Sequence, residues 1–273
     1  MELKEVIGRR RTIRYYLPFK PVEREKVEMM LEAARRSSCV GNVNNTKAIV
    51  IWREQSSPEL MKAITPMLGY QQMQTAPCFI LWYNDTAAYE IDHWMSTLKG
   101  LREQKRTGTG DPELENVATE EMVRPIFERI WKDAAENSLA YMDVGQAICQ
   151  ATLVAYDEGL STCCMSSPAI EGIGPLLKLP ESAIPVCIQS VGYSAETPEA
   201  GGQTVKEPFE NLFSEMVCGE PFALSTEVEE QLKQAKLIQR PAPLPWRQEE
   251  FRYLWRALEL ETQVPGGGGG SAD

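Results

Sequence analysis

The chain has 273 residues, 43% of them hydrophobic and 25% charged, the make-up of a globular protein long enough to bury a substantial core. With 28 basic against 39 acidic residues the formal charge is −11, which argues against nucleic-acid binding and against attraction to anionic membranes, since both need a basic face. A single histidine, His93, leaves little room for a Ser-His-Asp triad or a histidine-rich zinc site.

Helical spacing of Leu3, Val6 and Ile7 predicts a short first helix, and Val27, Met30, Leu31 and Ala34 share one face of a second. Two short apolar runs, "AIVIWR" (48–53) and "CFILWYN" (78–84), read as strands, with a helix opening at Ser57-Pro58 between them. A helical pattern follows over about 87–106, and "TGTGDPELEN" (107–116) reads as a loop. Residues 119–158 read as two successive helices. The second, roughly 137–158, is apolar over most of its circumference and therefore predicts burial in a core or a subunit interface. Gly159 ends it as a glycine in the C′ position, and strands follow at about 161–165 and 184–193.

Composition changes after Cys218. "STEVEEQLKQAKLIQ" is an amphipathic helix, "RPAPLPW" an extended proline segment, and "QEEFRYLWRALEL" a last helix with Phe251, Leu254, Trp255 and Leu258 on one stripe. A partner subunit is the natural dock for such an arm, and "PGGGGGSAD" reads as a disordered tail. The opening "MELKEVIGRRR" lacks the apolar stretch of a secretion signal, and no apolar run is clean enough to span a bilayer. Seven cysteines without framework spacing read as reduced thiols, so the expectation is a cytoplasmic protein. The elements do not form a regular βαβα series, which predicts an α+β fold with a modest sheet.

Four stretches carry candidate chemistry. In "RRRTIR" (9–14), four arginines and a threonine are either a solvated basic face or, in so acidic a chain, the forks and hydroxyl that hold a phosphate monoester. "ARRSSCVGNVNNTK" (34–47) takes a helix through small polar residues into a strand. That is either an ordinary connection or a loop whose amides approach a flat ligand. The remaining two are "DVGQAICQATLVAYDEGLSTCCMSS" and "LPESAIPVCIQSVGYSAETPEAGGQTVKEPFENL". The adjacent Cys163 and Cys164 raise a thiol-redox or metal site as an alternative, yet neighbouring cysteines form only a strained disulfide and nothing nearby completes a tetrahedral metal site.

In this order the four stretches resemble the FMN-dependent nitroreductase family. The matches are Arg10-Arg11-Thr12-Ile13-Arg14 to its arginine motif, 37–46 to its flavin-edge loop, 159–164 to its "GLGTCW" segment, and 179–196 with 206–212 to its closing motifs. The resemblance implies a small, mostly antiparallel sheet surrounded by helices in an intertwined homodimer. It implies that Arg10, Thr12 and Lys206 hold the FMN phosphate, with Arg11 on the phosphate or ribityl chain. Arg14 would face N1 and the C2 carbonyl of the ring, where a cation favours the reduced flavin. Ser37, Ser38, Cys39, Asn42 and Asn44 would line the flavin edge, Gln72 the pyrimidine edge, and Cys164, Met165, Ser166 and Ser167 would run against the ring, largely through backbone, with Cys163 in the core. The family's "QPW" is Asn44-Asn45-Thr46 here, and Lys206 stands where an arginine is usual.

The organisation implied is an FMN domain over 1–217 with a variable lid at 87–131, an arm over 218–262 on the partner, and a tail at 263–273. The activity implied is ping-pong reduction of an aromatic or conjugated acceptor, such as a nitroaromatic or quinone, by NADH or NADPH. A specialised redox enzyme on the same scaffold, such as a reductive dehalogenase or biosynthetic oxidase, or a non-catalytic FMN-binding protein, is the alternative.

Overall fold

A computed structural model describes residues 1–66, 70–166 and 168–260. The first half comprises α1 (Leu3–Arg9), α2 (Arg24–Arg35), β1 (Thr46–Trp52), α3 (Pro58–Ala63), α4 (Tyr70–Thr75), β2 (Cys78–Asp85) and α5 (Ile91–Glu103). It continues with α6 (Pro112–Val117), a π-helical turn (Ala118–Val123), α7 (Arg124–Glu136), α8 (Ser138–Asp157), β3 (Ser161–Ser166), α9 (Ile170–Leu177) and β4 (Ala183–Gly192). Last come α10 (Phe209–Leu212), α11 (Thr226–Gln234) and α12 (Arg247–Ala257). The expected tail at 263–273 lies outside the described residues.

The four strands form one sheet in the order β1-β2-β4-β3, with every neighbouring pair antiparallel. β2 is central and alternates cleanly. Cys78, Ile80 and Trp82 point to one face, where they meet Val27 and Met30 of α2 and Val144, Ala147, Ala151 and Ala155 of α8. Phe79 and Leu81 point to the other, against Ile13, Tyr16, Ile64, Met73, Ile173 and Ile188. With both faces covered, β2 reads as the continuous apolar run seen in the sequence.

α8 explains its own sequence. Asn137 caps it by accepting from Leu139 N (2.9 Å), and Gly159, at φ +77°, takes the left-handed turn beyond its end. The face it buries in its own chain is made of small residues, Ala140, Ala147, Ala151 and Ala155 among them, which lets it lie close to α2 and the sheet. Larger apolar residues fall elsewhere: Met142 is 51% exposed, and Leu139 and Leu153 are half-buried.

Two sequence expectations change. The pattern over 87–106 is a turn at 86–89 followed by α5, and the 107–116 loop contains the start of α6. Within this chain the last helix packs Leu254, Phe251, Trp255, Leu258 and Leu260 on Tyr15 and Ala195. The preceding stretch leaves apolar residues exposed, with Leu212 55%, Phe213 50% and Met216 97% accessible. Among the described residues no helix is long and apolar enough to cross a membrane.

Candidate functional site

The arginine stretch leaves α1 and runs alongside β3, the edge strand. Thr12 bridges Thr162 in parallel, and Ile13 N donates to Thr162 O (3.2 Å). The next four amides are also taken. Arg14 N (2.6 Å) and Tyr15 N (3.1 Å) donate to the Glu196 carboxylate, Tyr16 N to Thr75 Oγ1 (3.2 Å), and Leu17 N to Tyr193 O (2.9 Å). Tyr16 is wholly buried and its hydroxyl meets Ser190 Oγ at 2.9 Å. A backbone held at five consecutive amides presents its alternate side chains from a rigid base.

What those side chains do separates them. Arg11 is spent on backbone: its Nε donates to Gly202 O (3.1 Å) and its Nη1 to Gly8 O (2.6 Å) and Arg10 O (3.0 Å). Burial pushes its pKa down. Among the described residues Arg10, Arg14 and Lys206 form no side-chain hydrogen bond or ion pair, whereas α2 shows Arg24, Arg35 and Arg36 all paired to glutamates. Arg10, Arg11, Thr12 and Lys206 line a single cleft of about 590 Å³. Two unspent cations and a hydroxyl on one cleft suit a phosphate group.

The cysteines of β3 face opposite ways. Cys163 lies in the core, accepts from Gln72 Nε2 at 3.4 Å, and has its pKa raised by burial. Gln72 is itself buried, and its Oε1 finds no partner among the described residues. Cys164 faces out beside the Arg10 charge and donates to Cys187 across the strands. That bond and then burial hold the Cys164 thiol well above its ordinary range, and Cys187, as acceptor, is lowered. The cross-strand partner was invisible in the sequence because it lies 23 residues away and only the β3–β4 register brings it near. All seven cysteines are free. Met165 is buried in the core, Ser166 is exposed at the strand end, and Ser167 lies outside the described residues.

The second set sits elsewhere. Ser37, Cys39 and Asn44 line a pocket of about 360 Å³ with Lys47 and Trp82, beside β1 at the other edge of the sheet. Three strand spacings, roughly 14 Å, separate the two edges. Ser38 and Asn42 are exposed on the same loop. Gly41, Asn42 and Asn44 all take positive φ, which glycine and asparagine tolerate best. The loop is fixed from beneath. Val40 N donates to Asp143 of α8 (3.1 Å), and His93 Nε2 donates to Val43 O (3.2 Å). A side chain at Gly41 would strike the Trp94 indole. The 87–131 segment thus reaches this loop through α5. Among the described residues no group of His, Cys, Asp or Glu is arranged to hold a metal ion.

Residues 7–193 match the nitroreductase family, most of the chain. The chain belongs to the nitroreductase family. The fold agrees across solved structures. A nitroreductase-type protein from Exiguobacterium sibiricum in complex with FMN superposes with a TM-score of 0.63 at 21% identity, covering 78% of this chain and 97% of that one. The enone reductase CLA-ER of gut-bacterial fatty-acid saturation gives 0.63 at 19%, covering 79% and 98%. An NAD(P)H:FMN oxidoreductase-type protein from Staphylococcus epidermidis gives 0.62 at 16%, covering 79% and 96%. No curated protein matches the sequence. Glu196, whose carboxylate holds the Arg14 and Tyr15 amides, had no role assigned from sequence.

Proposed function

We propose that this nitroreductase-family chain is an FMN-dependent oxidoreductase that takes electrons from NADH or NADPH and reduces a conjugated or aromatic acceptor. The observation that carries the reading is the unspent pair Arg10 and Lys206, with the Thr12 hydroxyl, on one cleft. The donor set fits a phosphate monoester: two cations and a hydroxyl on a rigid backbone, with Arg14 free to one side. In this reading Arg10, Thr12 and Lys206 hold the phosphate. Glu196 fixes the Arg14 backbone so that its guanidinium meets the electron-rich edge of the ring. When bound, the flavin supplies the two-electron chemistry. The residues around it need only bind, orient and exclude water, which suits a chain whose one histidine is exposed and engaged with a backbone carbonyl.

The same reading makes the protein a homodimer. Ser37–Cys39, Asn42 and Asn44 lie at the sheet edge opposite Arg10, so one flavin touching both sets draws them from two copies. The outer face of α8 and the exposed 205–222 stretch offer apolar surface for the contact. The test is the absorption spectrum of the purified protein followed by anaerobic titration with NADH and NADPH. A flavin band that bleaches with either nucleotide is expected. A band that persists favours the flavin-binding protein without turnover, and a colourless protein that takes up no FMN overturns the reading.

A further inference from the structure

The cleft that carries Arg10 and Lys206 has a second wall, and it comes from the far end of the same chain. Leu237, Ile238, Gln239 and Pro241 line it, beyond the residues matched to the family. Gln203 fastens this return segment. Its backbone N donates to Arg240 O (2.8 Å), and its O accepts from Ala242 N (2.8 Å). Its side chain donates to Leu237 O (2.9 Å) and accepts from Gln239 N (2.8 Å). Leu244 N adds a bond to Gly201 O (2.8 Å).

Two glycines make the approach possible. A Cβ on Gly8 would run into Lys236 O and Leu237, and one on Gly202 would sit 2.8 Å from the Ala242 backbone. The segment ends in an ion pair. Arg247 reaches Glu196 at 2.5 Å, with side chains 12% and 0% exposed, and that same carboxylate holds Arg14 N and Tyr15 N. The return segment thus meets α1 at its start and, through Glu196, the arginine stretch at its end.

We propose that residues 237–247 are part of the phosphate-binding site of their own chain, with Gln203 as the positioning residue that holds them there. The inference rests on the FMN reading above. Leu237, Ile238 and Pro241 are apolar, so the wall keeps water from the anion and lets Arg10 and Lys206 act on it in a lower dielectric. The ligand feature concerned is the phosphate alone, since in the FMN reading the ring would be met by Arg14 and Cys164.

The test compares FMN with riboflavin, which lacks the phosphate, by fluorescence titration of the full-length protein. Gly8→Ala forces the return segment off α1 without harming the helix, and Gln203→Ala removes the two side-chain bonds to that segment and a longer one to Gly8 O. Both variants are expected to lose about tenfold or more in FMN affinity, the scale of one misplaced hydrogen bond to a charged group, with riboflavin affinity held within about twofold. Equal losses for both flavins, or no change in either, overturn the proposal. Should Gly8→Ala fail to fold, Gln203→Ala carries the comparison. Arg10→Ala separates the two readings. If it selectively loses FMN while Gln203→Ala does not, the phosphate site stands and the wall fails. A wild-type protein that binds FMN no better than riboflavin removes both.

Discussion

Arg10 and Arg11 are neighbours with opposite fates. Arg11 spends its fork on three backbone carbonyls that join α1 to the Gly202 turn, while Arg10 has no hydrogen-bond or ion-pair partner among the described residues. Sequence could mark the arginine cluster as anomalous in an acidic chain and could not say which member was free, because the carbonyl that takes Arg11 Nε lies 191 residues away. The same holds for Cys163 and Cys164, whose opposite orientations follow from strand alternation, although the Cys187 partner does not. The two arginines should therefore separate in a paired experiment. Arg10→Ala is expected to weaken FMN binding by about ten- to a hundredfold with little change in Tm, the size of a lost bond to a charged group. Arg11→Ala is expected to lower Tm because three partly buried carbonyls lose their donor. Flavin titration and thermal melts on both variants check this, and equal FMN losses with equal melts would contradict it.

The loop before β1 shows how an element is held. Its three positive-φ residues are legible as Gly41, Asn42 and Asn44, but its anchor, Asp143, sits in the middle of a helix that reads as apolar. Asp143 is buried, and burial raises its carboxyl, against the opposing effects of the bond from Val40 N and of the nearby Tyr89 hydroxyl. The sign follows. A folded pKa above the unfolded one means that the unfolded chain releases this proton first, so the side chain's contribution to stability falls as pH rises from the unfolded toward the folded value. Above that window the buried charge is a cost. Asp143→Asn keeps the acceptor for Val40 N and removes the charge, so it should raise Tm at pH 7 and leave it nearly unchanged at pH values below the ordinary carboxylate pKa. In a chain of this size about 2–4 °C corresponds to 1 kcal/mol. Calorimetry at the two pH values decides, and a Tm gain at low pH alone would show the sign to be wrong. The strands and α8 were legible because their patterns are local and strong. The helical turns of α6 were not, since nothing in a polar stretch with a Gly-Asp-Pro start distinguishes them from loop, and the helix expected from 119 opens instead as a π-helical turn.

At the scale of the whole molecule the chain closes on itself at one end and stays open at the other. The closed end is the Arg247–Glu196 pair, which lies between α12 and the arginine stretch. Breaking it on one side strands a buried carboxylate, so Arg247→Ala should cost about 3–5 kcal/mol in denaturant unfolding, most of which Glu196→Gln should restore in the double variant. Additive losses would mean that the two groups do not act as a pair. The open end is α8. Small residues there seat the helix in its own chain, and the larger apolar ones, Met142 and half-buried Leu139 and Leu153 among them, face away from it. In the proposed dimer this surface is buried, and a two-fold contact sets the same patch of each copy against its twin. A charge placed there costs little in an isolated chain, where Met142 is 51% exposed, and much in the dimer, where it is desolvated and opposed by its like. Met142→Glu is therefore expected to halve the mass seen by sedimentation while the far-ultraviolet circular dichroism stays unchanged. FMN retention should fall with the mass, because the Ser37–Asn44 edge of the proposed site comes from the second copy. A wild-type protein that sediments as a single chain and still holds FMN would show that the flavin needs only the Arg10 edge. A Met142→Glu dimer with full flavin would move the interface off α8.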